Sequence, residues 1–464
     1  MADPRRPVRI AVVGHTNTGK TSLLRTLARD TGFGEVSSRP STTRHVEGVR
    51  LLADGEVLVE LFDTPGMEDP IALLEVLEAI AAPQGERLDG PARIERFLDG
   101  EPARRRFEQE AKVLRQMLAS DAGFYVVDAR DPVLAKHRDE LAILAACAVP
   151  LLPVLNFVRS AEADESAWRE ALSRLGLHAV VRFDTVAPER DGERRLYEKL
   201  ATLLDDYRPS LDRLIACRER ESAERRADAL RLVAALLVDV SAVRVSAPAD
   251  DEQARPAVEA LSDAVRAREQ QCVDALLALY RFRSDDVDAD ELPLVEGRWE
   301  EDVFSPEALR AVGIKLGTGA AAGAAAGVGV DLMFGGLTLG AAAAIGALAG
   351  GGARAVMHYG DRLLGAVTGR RTLAVDDAIL RLLALRELAL VAALESRGHA
   401  ATAPLRRDAR VEQWREGALT KPLERARAHP EWSELLGEAE DADGRARAID
   451  ALASELSRME SQTQ

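Results

Sequence analysis

Gly14-His15-Thr16-Asn17-Thr18-Gly19-Lys20-Thr21 follows directly on the apolar run Ile10-Ala11-Val12-Val13 and opens into Ser22-Leu23-Leu24. A short buried strand that feeds a glycine-containing loop, which in turn starts a helix, is the context in which Gly-x4-Gly-Lys-Thr binds phosphates. The glycines let successive backbone N–H groups turn inward around an anion, and the helix amino terminus adds its dipole. Gly14, His15, Thr16, Asn17, Thr18, Gly19 and Ser22 then wrap the phosphates. Lys20 reaches the β- and γ-phosphates, and the Thr21 hydroxyl ligates Mg2+. The pattern predicts an α/β fold of the P-loop NTPase class, a mostly parallel sheet with helices on both faces.

A triphosphatase also has to sense the γ-phosphate, and the next segments are suited to it. After a helix to about Arg29, a loop through Gly32, Gly34, Ser37, Ser38 and Pro40 ends in Ser41-Thr42-Thr43-Arg44-His45, a candidate switch. Thr43 is the preferred second Mg2+ ligand and Thr42 the alternate. Val46 to Leu52 and Val57 to Phe62 read as two strands joined by Asp54-Gly55, a strong hairpin signal. The second strand delivers Asp63-Thr64-Pro65-Gly66. An aspartate at the end of a strand can hold the Mg2+ shell, and a glycine three residues on can offer its N–H to the γ-phosphate.

These three motifs, in this order, resemble the translation-factor class of GTPases, and within it the TrmE, Era and EngA group. The loop is similar to that group's Gly-x-Pro-Asn-x-Gly-Lys-Ser, Ser41-Thr42-Thr43-Arg44 to its Gly-Thr-Thr-Arg switch, and Asp63-Thr64-Pro65-Gly66 to its third motif. The resemblance covers about the first 210 residues. It implies GTP and GDP as ligands, hydrolysis as the activity, and a potassium ion bound with the help of Asn17 in place of an arginine finger. Met67 follows Gly66, so no glutamine stands where Ras-like proteins orient water. The GxxG loop and basic surface of an RNA-binding KH domain are not evident as a unit, so the resemblance ends with the G domain.

At the fourth motif the pattern departs. The strand Gly123 to Asp128 is followed by a helix from about Val133 to Ala146 and by a strand from Val149 to Leu155 that ends in Asn156-Phe157-Val158-Arg159. Of the group's Asn-Lys-x-Asp only Asn156 remains. An unpaired pair of guanine donors in a pocket costs about 1–3 kcal/mol, so base choice is open. A strand from Ala179 to Phe183 leads into Asp184-Thr185, where Asp184 is either a substitute carboxylate or a strand-end cap. The segment 67–120 is an insertion after the second switch. Its elements are an apolar helical pattern at Ile71, Leu74, Leu77 and Ile80, a Pro/Gly break at Pro83 to Pro91, and a charged helix from about Pro102 to Leu118. Arg104-Arg105-Arg106 on that helix reads as a solvated face, with an arginine finger or partner patch as the alternative.

The formal charge of −16 argues against broad attraction to nucleic acid or acidic lipid. Cys147, Cys217 and Cys272 are far apart and lack metal-ligand spacing, which fits a reducing cytoplasm. The amino terminus carries no apolar signal core and enters its first strand by about Val8, so secretion is not expected.

From about Arg213 the chain turns to charged, leucine-rich helical patterns. The expected division is a GTPase domain over 1–212, a helical region over 213–304, a Gly/Ala-rich hairpin over 305–371 and a carboxyl-terminal helical region over 372–464. Within the hairpin, 312–352 is almost uncharged, interrupted by Lys315 near its start and by Asp331. Gly319, Gly323 and Gly327, then Gly336, Gly340, Gly346 and Gly350, recur near helical spacing and permit close helix approach. Arg310 and Lys315 before it and Arg354, Arg362, Arg370 and Arg371 after it fit a hairpin with both ends in the cytoplasm. Its runs are near or below the ~20 residues that span a bilayer. Contact with the inner membrane, self-association and a tightly packed soluble hairpin all remain open. The whole resembles bacterial proteins in which such a GTPase is fused to a carboxyl-terminal domain of unknown function. The expected function is a Mg2+-dependent GTP-hydrolysing switch coupled to a helical domain. The alternatives are a non-catalytic nucleotide-binding scaffold and an ATP-using or base-indifferent P-loop NTPase.

Overall fold

The computed structural model describes residues 6–28, 47–80, 88–185, 191–280, 297–311, 370–396 and 419–461, together with Glu189 and Leu294. The described residues fall into two compact units, divided between Ser222 and Ala223. The switch loop with Thr42 and Thr43, and the Gly/Ala-rich stretch 312–352, lie outside the described residues.

The first unit is built on a six-stranded sheet of order β2-β3-β1-β4-β5-β6. Its strands are β1 (Val8–Val13), β2 (Glu47–Ala53), β3 (Glu56–Asp63), β4 (Ala122–Asp128), β5 (Leu151–Asn156) and β6 (Val181–Arg182). All neighbours run parallel except β2, which pairs antiparallel with β3. Asp54 and Gly55 close that hairpin with φ of 51° and 81°, the double positive φ that Asp-Gly favours. The parallel strands are apolar on both sides because both faces are covered. Val8, Ile10 and Val12 of β1 enter one core with Leu23, Leu24 and Leu27 of α1 (Lys20–Ala28) and Leu196 and Leu200 of α7 (Gly192–Leu203). Ala11 and Val13 enter the opposite core with α2 (Pro70–Ala79), α3 (Gly90–Asp99), α4 (Glu108–Leu118), α5 (Ala135–Ala145) and α6 (Glu165–Arg174).

The insertion after the third motif differs from its expected form. The sequence predicts one charged helix from about Pro102; the chain instead forms α3, a 3-10 turn at Pro102–Arg104, and α4 from Glu108. Phe107 is the reason. Its ring is buried edge-on against Phe97 of α3, with centroids 6.2 Å apart, and a straight helix from 102 would not deliver it there. The helix α3 has its own start signal in Asp89-Gly90-Pro91, where the Asp89 carboxylate accepts the Ala92 N–H at 2.9 Å. Arg104, Arg105 and Arg106 meet Asp99, Glu101 and Asp69 locally on the surface.

The second unit is mainly helical. It holds the second half of α8 (Arg208–Ala242), α9 (Asp251–Leu279), α10 (Pro306–Ala311), α11 (Asp377–Ser396), α12 (Lys421–Arg427) and α13 (Ala442–Ser461). A two-stranded antiparallel ribbon pairs β7 (Val245–Pro248) with β8 (Arg370–Leu373). One core runs through these elements, with Val233, Leu237, Leu261, Val273, Leu380, Leu383 and Leu452 inside it. Among the described residues, no helix is long and apolar enough to cross a membrane.

Candidate functional site

The loop after β1 has the shape its sequence implies. Gly14 takes φ of +140°, and a Cβ there would come within 2.4 Å of the Val126 carbonyl oxygen of β4, so no other residue lets the chain leave the sheet this closely. Asn17 sits at φ of +62°. The Thr18 hydroxyl donates to the His15 carbonyl at 3.0 Å, and the Leu23 N–H to the Gly19 carbonyl at 2.8 Å as α1 begins. Lys20 bridges the loop from below, its Nζ donating to the carbonyls of Gly14 at 2.9 Å and His15 at 2.7 Å. It is only 7% exposed. Burial pushes its ammonium pKa down, and the carboxylates of Asp63 and Glu140 oppose that shift.

The third motif is brought to the same place by the sheet, since Asp63 stands opposite Val12 in the β1–β3 register. The Thr21 hydroxyl donates to Asp63 Oδ2 at 2.6 Å, and the Thr64 hydroxyl to the Val12 carbonyl at 2.7 Å. A hydroxyl and a carboxylate oxygen held this close form the sparse, hard-oxygen donor set that suits Mg2+ when phosphates and waters complete the octahedron. Gly66 lies against Thr16: a Cβ would meet Thr16 Cγ2 at 2.6 Å and Thr16 N at 2.8 Å. Gly66→Ala is therefore expected to part the motif from the loop, costing about tenfold in triphosphate affinity and little in diphosphate affinity. Equal losses for the two nucleotides in a calorimetric titration would contradict a γ-phosphate contact. Just beyond, the buried Glu110 of α4 accepts the N–H groups of Glu68 at 3.0 Å and Asp69 at 3.1 Å. Within the insertion, α4 is thus fastened to the backbone two and three residues after Gly66.

On the other side of the loop, Asp128 and Asn156 end β4 and β5, and Asp184 follows β6. Asn156 is fully buried and acts as a staple: Nδ2 donates to the Thr18 carbonyl at 2.9 Å, while Oδ1 accepts the N–H of Phe157 at 2.9 Å and of Thr185 at 2.8 Å. The backbone N–H of Arg159 donates to Asp184 Oδ2 at 3.1 Å. Arg130 pairs with Asp128 at 2.7 Å and lays its guanidinium 4.0 Å from the centroid of the Phe157 ring.

Gly14 through Ser22, Asp63 through Gly66 and Asn156 are gathered at the carboxyl ends of β1, β3 and β5, whereas Thr43 lies outside the described residues. Sequence reasoning missed Tyr125, Lys136, His137 and Glu140, which approach the loop from β4 and α5. The one local hint is a tyrosine within the otherwise apolar run Phe124 to Val127. Lys136 Nζ lies 2.8 Å from His15 Nε2. His15 and His137 pack edge to face with centroids 5.6 Å apart, and burial first, then Lys136, pulls both rings down to about 4.

Residues 169–454 match the family model described as a domain of unknown function, DUF3482, and residues 9–157 match that of the 50S ribosome-binding GTPase. No curated protein matches the chain. Among solved structures, an Era variant of Aquifex aeolicus bound to GDP and AlF4− is 18% identical, over 42% of this chain and 56% of that one, with a TM-score of 0.29. Era in complex with MgGDPNP and a segment of 16S ribosomal RNA is 16% identical, over 43% of this chain and 56% of that one, with a TM-score of 0.31. The G domain of the T. maritima FeoB iron transporter is 20% identical, over 42% and 98% of the two chains, with a TM-score of 0.26. The chain thus spans a little over half the length of the Era chains it matches.

Proposed function

The chain belongs to the DUF3482 family, here with a GTPase-family P-loop domain at its amino-terminal end, and on that premise we propose that it is a Mg2+-dependent, GTP-hydrolysing switch whose nucleotide state is read by its helical region. The observation that carries this is the meeting of three motifs around one loop. Lys20 spans Gly14 and His15, Thr21 touches Asp63 at 2.6 Å, and Gly66 packs on Thr16. With Mg-GTP in place, Thr21 and Asp63, joined by Thr43, would hold the ion, which neutralises charge on the β- and γ-phosphates. Lys20 offsets the negative charge that develops during transfer, and the Gly66 N–H senses the γ-phosphate. The switch domain is 1–212 with its insertion 67–120. The effector comprises 213–304, 305–371 and 372–464.

The tie from Glu110 to Glu68 and Asp69 supports the coupling. Any shift of Gly66 toward a γ-phosphate pulls on a segment whose N–H groups two and three residues further on, those of Glu68 and Asp69, are held by α4, so the insertion follows the nucleotide. Guanine preference draws support from Asp184, whose carboxylate sits on the backbone N–H of Arg159. The group that the first domain resembles carries its base-reading aspartate at that position. Arg159 itself favours the second reading, a base-indifferent NTPase, because a guanidinium cannot accept the N1 and N2 hydrogens of guanine.

One experiment separates the readings: binding of GTP, GDP and ATP with Mg2+, in potassium and then in sodium, followed by phosphate release. GTP is expected to bind at least about tenfold more tightly than ATP. Release is expected to be faster in potassium, which would give Asn17 its role. Equal handling of ATP would establish the base-indifferent enzyme, and tight binding without release in either salt a scaffold.

A further inference from the structure

Beneath the loop, α5 turns a carboxyl group toward the sheet. Glu140 is 0% exposed. Its Oε2 accepts the Tyr125 hydroxyl at 3.1 Å, and its Oε1 has no hydrogen-bond partner among the described residues. Tyr125 stands opposite Val13 in the β1–β4 register, one residue before Gly14, which places this pair directly under the turn whose carbonyls hold the Lys20 ammonium. The same helix touches the loop a second time, through Lys136 and the His15 ring. Isolated buried carboxylates are costly, and this one is required neither by the phosphate loop nor by the Mg2+ donors.

We propose that Glu140 is a positioning residue, an internal counter-charge to Lys20 that takes up a proton from solvent when the phosphates of a nucleotide enter the loop. The inference rests on the nucleotide-binding reading above. The charged and titratable groups around Glu140 are few. Burial pushes its carboxyl up to about 7, while Lys20 from the loop, the Tyr125 hydroxyl from β4 and Lys136 from its own helix pull it down. His15 and His137, held near 4, are neutral at pH 7 and contribute no charge there. Phosphates act on this balance twice. They engage the Lys20 ammonium, which until then favours the ionised carboxylate, and they add negative charge of their own. Both effects raise Glu140, so a proton binds with the nucleotide. Once neutral, Glu140 no longer draws Lys20 inward, and the ammonium is released to the phosphates.

The sign of the pH dependence follows. Below about pH 6 Glu140 is protonated with or without nucleotide, and no uptake occurs. Above 7 the free protein is ionised there and the complex is not, so affinity falls as pH rises. The test is calorimetry of a non-hydrolysable GTP analogue with Mg2+, using the full chain at pH 7.5 in two buffers of different ionisation heat, which counts the protons. The wild type is expected to take up about half a proton more than Glu140→Gln, and its affinity to fall about threefold more between pH 7 and 8. The nucleotide's own titration is common to both and cancels.

Tyr125→Phe is the second variant. It removes a hydrogen bond that favours the ionised form, so the uptake moves to higher pH. If Glu140→Gln does not fold, this shift decides alone. Equal proton counts in wild type and Glu140→Gln, or an unmoved profile in Tyr125→Phe, overturn the proposal while leaving nucleotide binding intact. No binding by the wild type would overturn the functional reading as well.

Discussion

Lys20→Ala is expected to lower phosphate release from GTP by at least about 100-fold, the loss that follows removal of one preorganised donor from a transition-state site. The expectation comes from where the ammonium is held. It lies at the bottom of the loop on the carbonyls of Gly14 and His15, nearly out of contact with water. An ammonium so placed acts on phosphate oxygens across a medium of low polarity, where charge interactions are several times stronger than in water. Binding should weaken too, and more for GTP than for GDP, because in the proposed site the lysine would reach the γ-phosphate. The fold should survive, since burial already disfavours the charge that the variant removes. Folding can be checked by circular dichroism beside a malachite-green assay of phosphate release. Turnover within threefold of wild type in a folded variant would mean that the loop is not the seat of the reaction.

The parts of this molecule that were legible in its sequence are those fixed by neighbours along the chain. The loop needs an apolar run before it and a helix after it, all within 8–28. The hairpin needs only Asp54-Gly55 between two alternating strands. Asp63 is placed by the strand it ends. The parts that were not legible depend on partners far away. The ribbon β7–β8 joins Val245 to Leu373 and Pro248 to Arg370. Each strand has four residues, too few for a period of two to stand out, and Pro248 reads as a breaker. The break before α4 is set by a ring contact with Phe97, which no local pattern announces. Glu140 is the sharpest case. On the sequence it is one acid in the charged stretch Lys136 to Glu140, indistinguishable from a solvated helix face. Only the pairing of β4 with β1 places Tyr125, and hence Glu140, under the loop.

Asp239→Ala is expected to destabilise the helical unit by about 3–5 kcal/mol, the usual cost of removing one partner from a buried ion pair. Asp239, near the end of α8, is 0% exposed. Its carboxylate accepts Arg268 Nε of α9 at 3.0 Å, both Nε and a terminal nitrogen of Arg445 of α13 at 3.0 Å, and the Glu434 N–H at 3.3 Å. Its carbonyl accepts the Ser433 hydroxyl at 2.8 Å. One side chain thereby joins three helices and the turn before the last of them. After truncation Arg445 keeps Glu434 at 2.8 Å, but the guanidinium of Arg268, 19% exposed, loses its ion pair with Asp239 inside the core. Asp239→Asn keeps the shape and one acceptor, so its loss should be smaller, and the difference between the two variants reports the charge itself. Urea denaturation followed by tryptophan fluorescence in a Trp168→Phe background would read this unit, because Trp299 and Trp432 both lie in it whereas Trp168 lies in the other. A loss below about 1 kcal/mol for Asp239→Ala would mean that water reaches the cluster and screens it as it screens surface pairs. The three helices would then be held by their apolar contacts alone.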